Sequence, residues 1–218
     1  MNAAAAASAG QVVVRPLSAT QAATRRRLLD AGRELAREGG YDAVGMRQVA
    51  ERAGVSAPTA YQYFSSKDHL LVDAMVDRVD TTTEAVRARP SRARTPLDRT
   101  VATLRRVMKR VGEEPNLYVA MTRAYISGVP EVAHARSAME STMRQWVDIA
   151  LGPAELDDRD AVVAILEAVL FAGMVGLVTG SKVPSDIADD LERAARTLLL
   201  RSATARPDHA TPEEAPFP

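Results

Sequence analysis

The chain has 218 residues, 46% of them apolar and only 4% aromatic, so it can bury a sizeable core built largely from Ala, Leu, Val and Met. It has no Cys, which excludes disulfides, thiolate zinc sites and cysteine nucleophiles together. Its 28 basic residues balance its 28 acidic ones, so any nucleic-acid binding must come from a local basic surface and not from a global field.

Residues 1–20 are Ala-rich, without a basic segment ahead of an apolar one, which argues against a secretory signal. They are expected to be a disordered tail, as are residues 202–218 with their Pro, Ala, Thr and Glu bias. Between the tails nearly every segment has helical spacing, and the prediction is an all-α fold.

A first helix is predicted over Gln21–Arg37, with Leu28, Ala31, Leu35 and Ala36 on one face and Gly39-Gly40 as its stop. A second, Met46–Ala53, ends at Gly54, where a tight turn needs a permissive backbone. A third, Ala57–Phe64, follows Ser56 as N-cap and carries Pro58 where a missing N–H costs nothing. Ser66 caps a fourth helix that runs to about Ala85. These short second and third helices, MRQVAERAGVSAPTAYQYF, have the layout of a helix-turn-helix, whose second helix must fit a major groove roughly 12 Å wide. Arg87–Pro96, with two prolines and four arginines, reads as a solvated loop. Helices are then expected over Leu97–Val111, Pro115–Ser127, Pro130–Leu151, Arg159–Thr179 and Ser185–Arg201.

The Arg159–Thr179 helix is apolar nearly all round and approaches membrane-span length. Glu167 within it favours a buried core helix, since a charge at mid-bilayer depth costs on the order of 3 kcal/mol. It must then be covered on every side, and Ala168, Ala172, Gly173 and Gly176 would admit another backbone, such as the same helix of a second subunit. The expected protein is soluble and cytoplasmic, with no membrane partner.

Over Leu28–Met75 the chain resembles the TetR family of transcriptional regulators: a first helix ending in GGYDAV, the AERAGVS turn, then YQYFSSKDHLL. MRQVAERAGV, YQYFSSKDHLL and the later MTRAYISG are similar to the branch that represses sterol (cholesterol) catabolism genes. The resemblance implies a homodimer on a palindromic double-stranded DNA operator. It divides the chain into a three-helix DNA-binding domain (21–66) and a helical effector-binding and dimerisation domain (67–201). By matched position, Arg47 contacts a base or phosphate. Ala57, Pro58, Thr59, Tyr61 and Tyr63 occupy the exposed, DNA-facing side of the recognition helix, with Ser56 at its start, and Lys67 is a phosphate contact. Two residues depart from the pattern: Met46 replaces the Thr common before Arg47, and Ala57 has no polar reach.

Local packing competes with several of these roles. Tyr61 and Tyr63 cannot share a helix face, so one is expected outward and the other partly buried. Phe64 and Ala60 read as core. Lys67 beside a helix N-terminus is disfavoured by the dipole unless an anion joins it. Arg25, Arg26 and Arg27 fit either a solvated face or phosphate contacts. Farther on, Met108, Met121, Tyr125, Met139, Met143, Trp146, Phe171 and Met174 are each ordinary core singly. Together they suit an adaptable chamber for a bulky apolar effector. Arg123 either meets an acidic ligand group or pairs with a carboxylate such as Glu114 or Glu167, and for Glu167 itself pairing across a dimer interface is the favoured use. His69, His134 and His209 lie in separate segments, and no catalytic or metal motif is present, so neither an enzyme nor a cofactor is expected. A ligand-responsive repressor is the reading. An effector-independent architectural protein, an activator of the same fold, and an enzyme or carrier are the alternatives.

Overall fold

The computed structural model describes residues 17–128, 130, 133–152, 156 and 158–204, without the side chains of 134–138, 140, 143 and 201–204. The described residues form nine α-helices and no strand: α1 Ala19–Ala43, α2 Met46–Arg52, α3 Ala57–Tyr63, α4 Lys67–Ala88, α5 Pro96–Glu113, α6 Pro115–Ile126, α7 Ala133–Leu151, α8 Arg159–Val178 and α9 Pro184–Thr204.

Helix α1 starts two residues before the predicted Gln21, because Ser18 accepts from the Gln21 N–H while the Gln21 side chain accepts from the Ser18 N–H. This reciprocal cap extends order into the segment expected to be a tail. At the other end Gly40 takes a left-handed φ of 70°, which breaks the helix and turns Tyr41 back toward α4. Gly54, with φ 65°, makes the turn between α2 and α3. Ser56 caps α3 by accepting from the Thr59 N–H at 3.2 Å, and Ser66 caps α4 by accepting from His69 N–H at 3.1 Å.

Helix α4 runs one turn beyond the predicted Ala85, so Arg87 is helical and the loop shrinks to 89–95. Helix α9 likewise passes Arg201 to Thr204, with no helix-breaking residue before Pro207. The expected start of α7 at Pro130, the remaining tails, and His209 fall wholly or partly outside the described residues.

One contiguous apolar core runs from Leu28 to Leu199. Helix α1 packs against α2, α4 and α6; α4 against α6 and α7; and α9 against α5 and α8. Ion pairs stitch α1 to its neighbours along its length: Arg25 to Asp73, Arg33 to Asp77 and Arg37 to Glu114. Helix α8 is the described helix long and apolar enough to cross a membrane, yet one face of it is seated on α6, α7 and α9. A Cβ at Gly173 would come within 2.6 Å of Ile187, and one at Gly176 within 3.0 Å of Lys182, so these glycines serve contacts inside the chain. On the opposite side Ile165 and Ala172 are bare, Ile165 exposed to 43%, while Ala164, Ala168 and Phe171, also exposed, border a cavity. The expectation that α8 is covered on every side does not hold within a single copy.

Candidate functional site

Helix α3 divides its residues sharply. Ala60 and Phe64 are fully buried, while Pro58, Tyr61 and Gln62 face outward, Tyr61 being 53% exposed. Tyr63 is half-buried against the core, as is Ala57. The Ser56 and Thr59 hydroxyls hydrogen-bond to each other at 2.8 Å, so Ser56 is engaged locally as a cap. Arg47 and Gln48 are exposed at the start of α2, next to this surface. Gln48 and Gln62, both exposed amides on α2 and α3, were missed by pattern reasoning, although amides at such positions are natural readers of base edges.

Lys67 occupies a more internal position than the sequence suggests. Its Nζ donates to the Tyr41 carbonyl at 3.3 Å and lies 3.8 Å from the Tyr41 ring centroid. The Tyr41 hydroxyl donates to Asp68 Oδ1 at 2.6 Å, and burial followed by this bond pushes its pKa up to about 12. Arg123 lies against the same ring, its Cζ 4.2 Å from the centroid, with Asp42 at 3.3 Å. Tyr41 thus clasps the start of α4 to α6. Among the α1 arginines, Arg25 pairs with Asp73 and lies over Phe64, 5.5 Å from its centroid, while Arg26 and Arg27 are exposed. His69 takes the Ser65 N–H on Nδ1 at 3.3 Å and stacks edge-on with Phe64, which gives it a local packing role.

A cavity of about 730 Å³ lies among α4, α5, α6, α7 and α8. Of the residues expected there, Met108, Tyr125, Met139, Trp146, Phe171 and Met174 line it. Met121 is fully buried in the core and does not line it, and the Met143 side chain lies outside the described residues. Arg123 is a correction: it stands on the outer face of α6, exposed, and paired with Asp42 in place of Glu114 or Glu167. Tyr118, Thr122, Tyr125 and Ile126, at helical spacing, are the α6 residues on the cavity.

The wall contributed by α4 was not anticipated. Met75, Arg78, Val79 and Thr82 line the cavity directly, and their i, i+3, i+4, i+7 spacing was the available signal. Arg78 donates to Glu114 and, at 3.4 Å, to the Tyr118 hydroxyl. Trp146 is held by its indole N–H donating to Thr83 Oγ1 at 2.9 Å. Glu167 lines the cavity and adds to the field that raises the Arg144 pKa, after the Asp160 hydrogen bond. No cluster of three or more metal-binding side chains exists among the described residues.

Comparison with known proteins matches both halves of the chain to family models. Residues 28–74 match the family model for bacterial regulatory proteins of the tetR family, and residues 93–198 that for the tetracyclin repressor-like C-terminal domain. The HTH-type transcriptional repressor KstR of Rhodococcus jostii is 34% identical over 195 residues, covering 88% of this chain and 89% of that protein. The chain belongs to the tetR family. This TetR-family chain is therefore a DNA-binding transcriptional regulator of the helix-turn-helix type. Its fold superposes on a TetR regulator from Rhodococcus sp. RHA1 with TM-score 0.71, 28% identity and coverage of 83% of this chain and 98% of that one. The Thermus thermophilus repressor FadR, solved in complex with lauroyl-CoA, shares the fold at TM-score 0.64 and 23% identity, covering 89% and 98% of the two chains.

Proposed function

We propose that the regulator is a homodimeric repressor that leaves a palindromic operator when an apolar effector enters the cavity among α4–α8. Each copy seats α3 in a major groove, with Thr59 and Tyr61 toward base edges, Pro58 against thymine methyls, and Arg47 toward phosphates, while Lys67 is held on Tyr41 at the start of α4. Ser56, Ala57 and Tyr63 support that helix through its cap and packing.

One observation carries this reading. Helix α4 begins three residues after Phe64, directly behind the recognition helix, and its middle turns form a wall of the cavity through Met75, Arg78, Val79 and Thr82. A body that fills the cavity presses on the helix that holds α3 in place. Preferential binding to the released arrangement by a few kcal/mol is enough to empty the operator. The bare apolar surface of α8 at Ile165 and Ala172 supports pairing of two copies, because a monomer would leave it in water.

For the effector, the apolar lining, the lauroyl-CoA held by the FadR of like fold, and the sequence resemblance to sterol-catabolism repressors favour a bulky lipid. Such a lipid is sterol-derived or an acyl-CoA, and the action takes place in the cytoplasm. An architectural protein without effector has no use for a 730 Å³ chamber. An activator of the same fold would bind the operator more tightly with ligand. The test is genome-wide binding of the purified protein to fragmented DNA of its source, followed by gel-shift release from the recovered palindrome with sterol-derived and acyl-CoA compounds. Failure of every such compound to change operator affinity removes the effector half of the proposal.

A further inference from the structure

Thr82 of α4 and Val107 of α5 have a cavity on either side. One is the effector chamber; the other is a recess of about 450 Å³ lined by Arg89, Arg106 and Arg110 over Ala85, Val86 and Ala88. Among the described residues no carboxylate lines this recess. Arg106 Nη1 donates to the Arg89 carbonyl at 2.5 Å, and its Nη2 is buried without a hydrogen-bond partner among the described residues.

Two nearby arginines are engaged within the chain. Arg105, one residue away, pairs with Asp189 and Glu192 of α9, and Arg99 donates to the Ala150 and Leu151 carbonyls at the end of α7. The helix dipole explains a cation at the α4 C-cap, Arg89, and in the last turn of α5, Arg110. It does not explain a third guanidinium in the same recess, nor the lack of an ion pair for any of the three among the described residues. In a chain whose basic and acidic residues are equal in number, three converging cations without a carboxylate call for an external anion. Guanidinium forks match phosphate oxygens geometrically, and bind them more strongly than they bind chloride.

We propose that this recess is a phosphate-binding site, with Arg106 and Arg110 as its principal donors and Arg89 at its rim. The phosphate arrives either free or as the polar end of an effector whose apolar body lies beyond Thr82 and Val107. Only this second source rests on the effector reading given above.

The test compares the wild-type protein with Arg106→Met/Arg110→Met, Arg110→Gln alone, and Arg106→Lys/Arg110→Lys. Inorganic pyrophosphate is expected to raise the thermal midpoint of the wild type above that in chloride at equal ionic strength. The rise disappears in the Met pair, weakens in the Gln variant and is partly kept by the Lys pair. If the effector brings the phosphate, lauroyl-CoA binds the wild type about 10-fold or more tightly than laurate, a gap of one or two charge-assisted hydrogen bonds. That gap closes in the Met pair while laurate affinity is unchanged. Equal lauroyl-CoA and laurate affinities with the pyrophosphate rise intact assign the site to free phosphate. If pyrophosphate and chloride act alike on the wild type, and the lauroyl-CoA to laurate ratio is the same in the Met pair, the site is refuted. Absence of laurate binding in every protein refutes the chamber reading instead, and the pyrophosphate rise still decides the recess.

Discussion

Tyr61 on α3 and Phe64, its C-cap residue three positions on, meet opposite fates, one half in water and the other fully enclosed. Helical spacing made that division readable, as it did for Ala60. Tyr61→Ala or Thr59→Ala should therefore cost ~1–3 kcal/mol of operator binding while the protein stays folded and dimeric. Gel-shift titrations giving wild-type affinity for both would remove the contact assignment. Lys67 and Arg123 were less legible, because the aromatic ring that receives both belongs to Tyr41, a residue remote from Arg123 in sequence. For Arg123 one step of about 100° around α6 separates the cavity face from the outer face, and composition alone cannot choose between them. Tyr41 offers a second prediction. Its phenol ionises near pH 10 in the unfolded chain and at about 12 in the native one, so the native state is favoured fully below pH 10 and less as pH rises toward 12. Urea unfolding at pH 8.5 and 10.5 should show the wild type losing more stability than Tyr41→Phe; parallel losses would contradict the burial and Asp68 bond as the cause.

At the scale of helices, the number, order and approximate ends of the elements followed from caps, glycines and prolines. What escaped was the use made of each face. Gly173 and Gly176 read as openings for a second subunit, but Ile187 and Lys182 of the same chain occupy that space. A side chain at 173 must displace Ile187 across the α8–α9 contact. Gly173→Val is expected to lower stability by ~1–3 kcal/mol in chemical denaturation, as overpacking does. Ile187→Ala in the same chain should return part of that loss. An unchanged midpoint for Gly173→Val would mean that the two helices are less closely apposed than described. Helix α4 teaches the same lesson from the other side: Met75 and Val79 were legible as apolar, whereas their position on a cavity depends on the placement of α5–α8, which no local pattern records.

For the molecule as a whole, the uncovered apolar surface of α8 at Ile165 and Ala172 is the feature that a lone copy cannot account for. Ile165 lies on that surface and does not line the cavity, so it separates assembly from ligand binding. Ile165→Asp would place an unpaired charge in the contact, a penalty of ~3–5 kcal/mol when buried. Sedimentation should then show a monomer with unchanged helix content, and operator affinity should fall by ~100-fold or more, since 1.4 kcal/mol is tenfold. A variant that remains dimeric would move the pairing surface elsewhere. What covers this helix was the part furthest from reach in the residues themselves, because a helix that is apolar all round looks the same whether its cover is intramolecular or a twin.

Glu114 sits at the junction of α5 and α6 with one oxygen given to Arg37 of α1 and the other to Arg78 of the chamber wall. A single carboxylate cannot follow two partners that move apart. Any displacement of the wall must be shared with the helix that anchors the DNA-facing unit, or be taken at the expense of one of the two bonds. A disturbance of the chamber wall is therefore either passed on to α1 or met by the rupture of one of these two ion pairs.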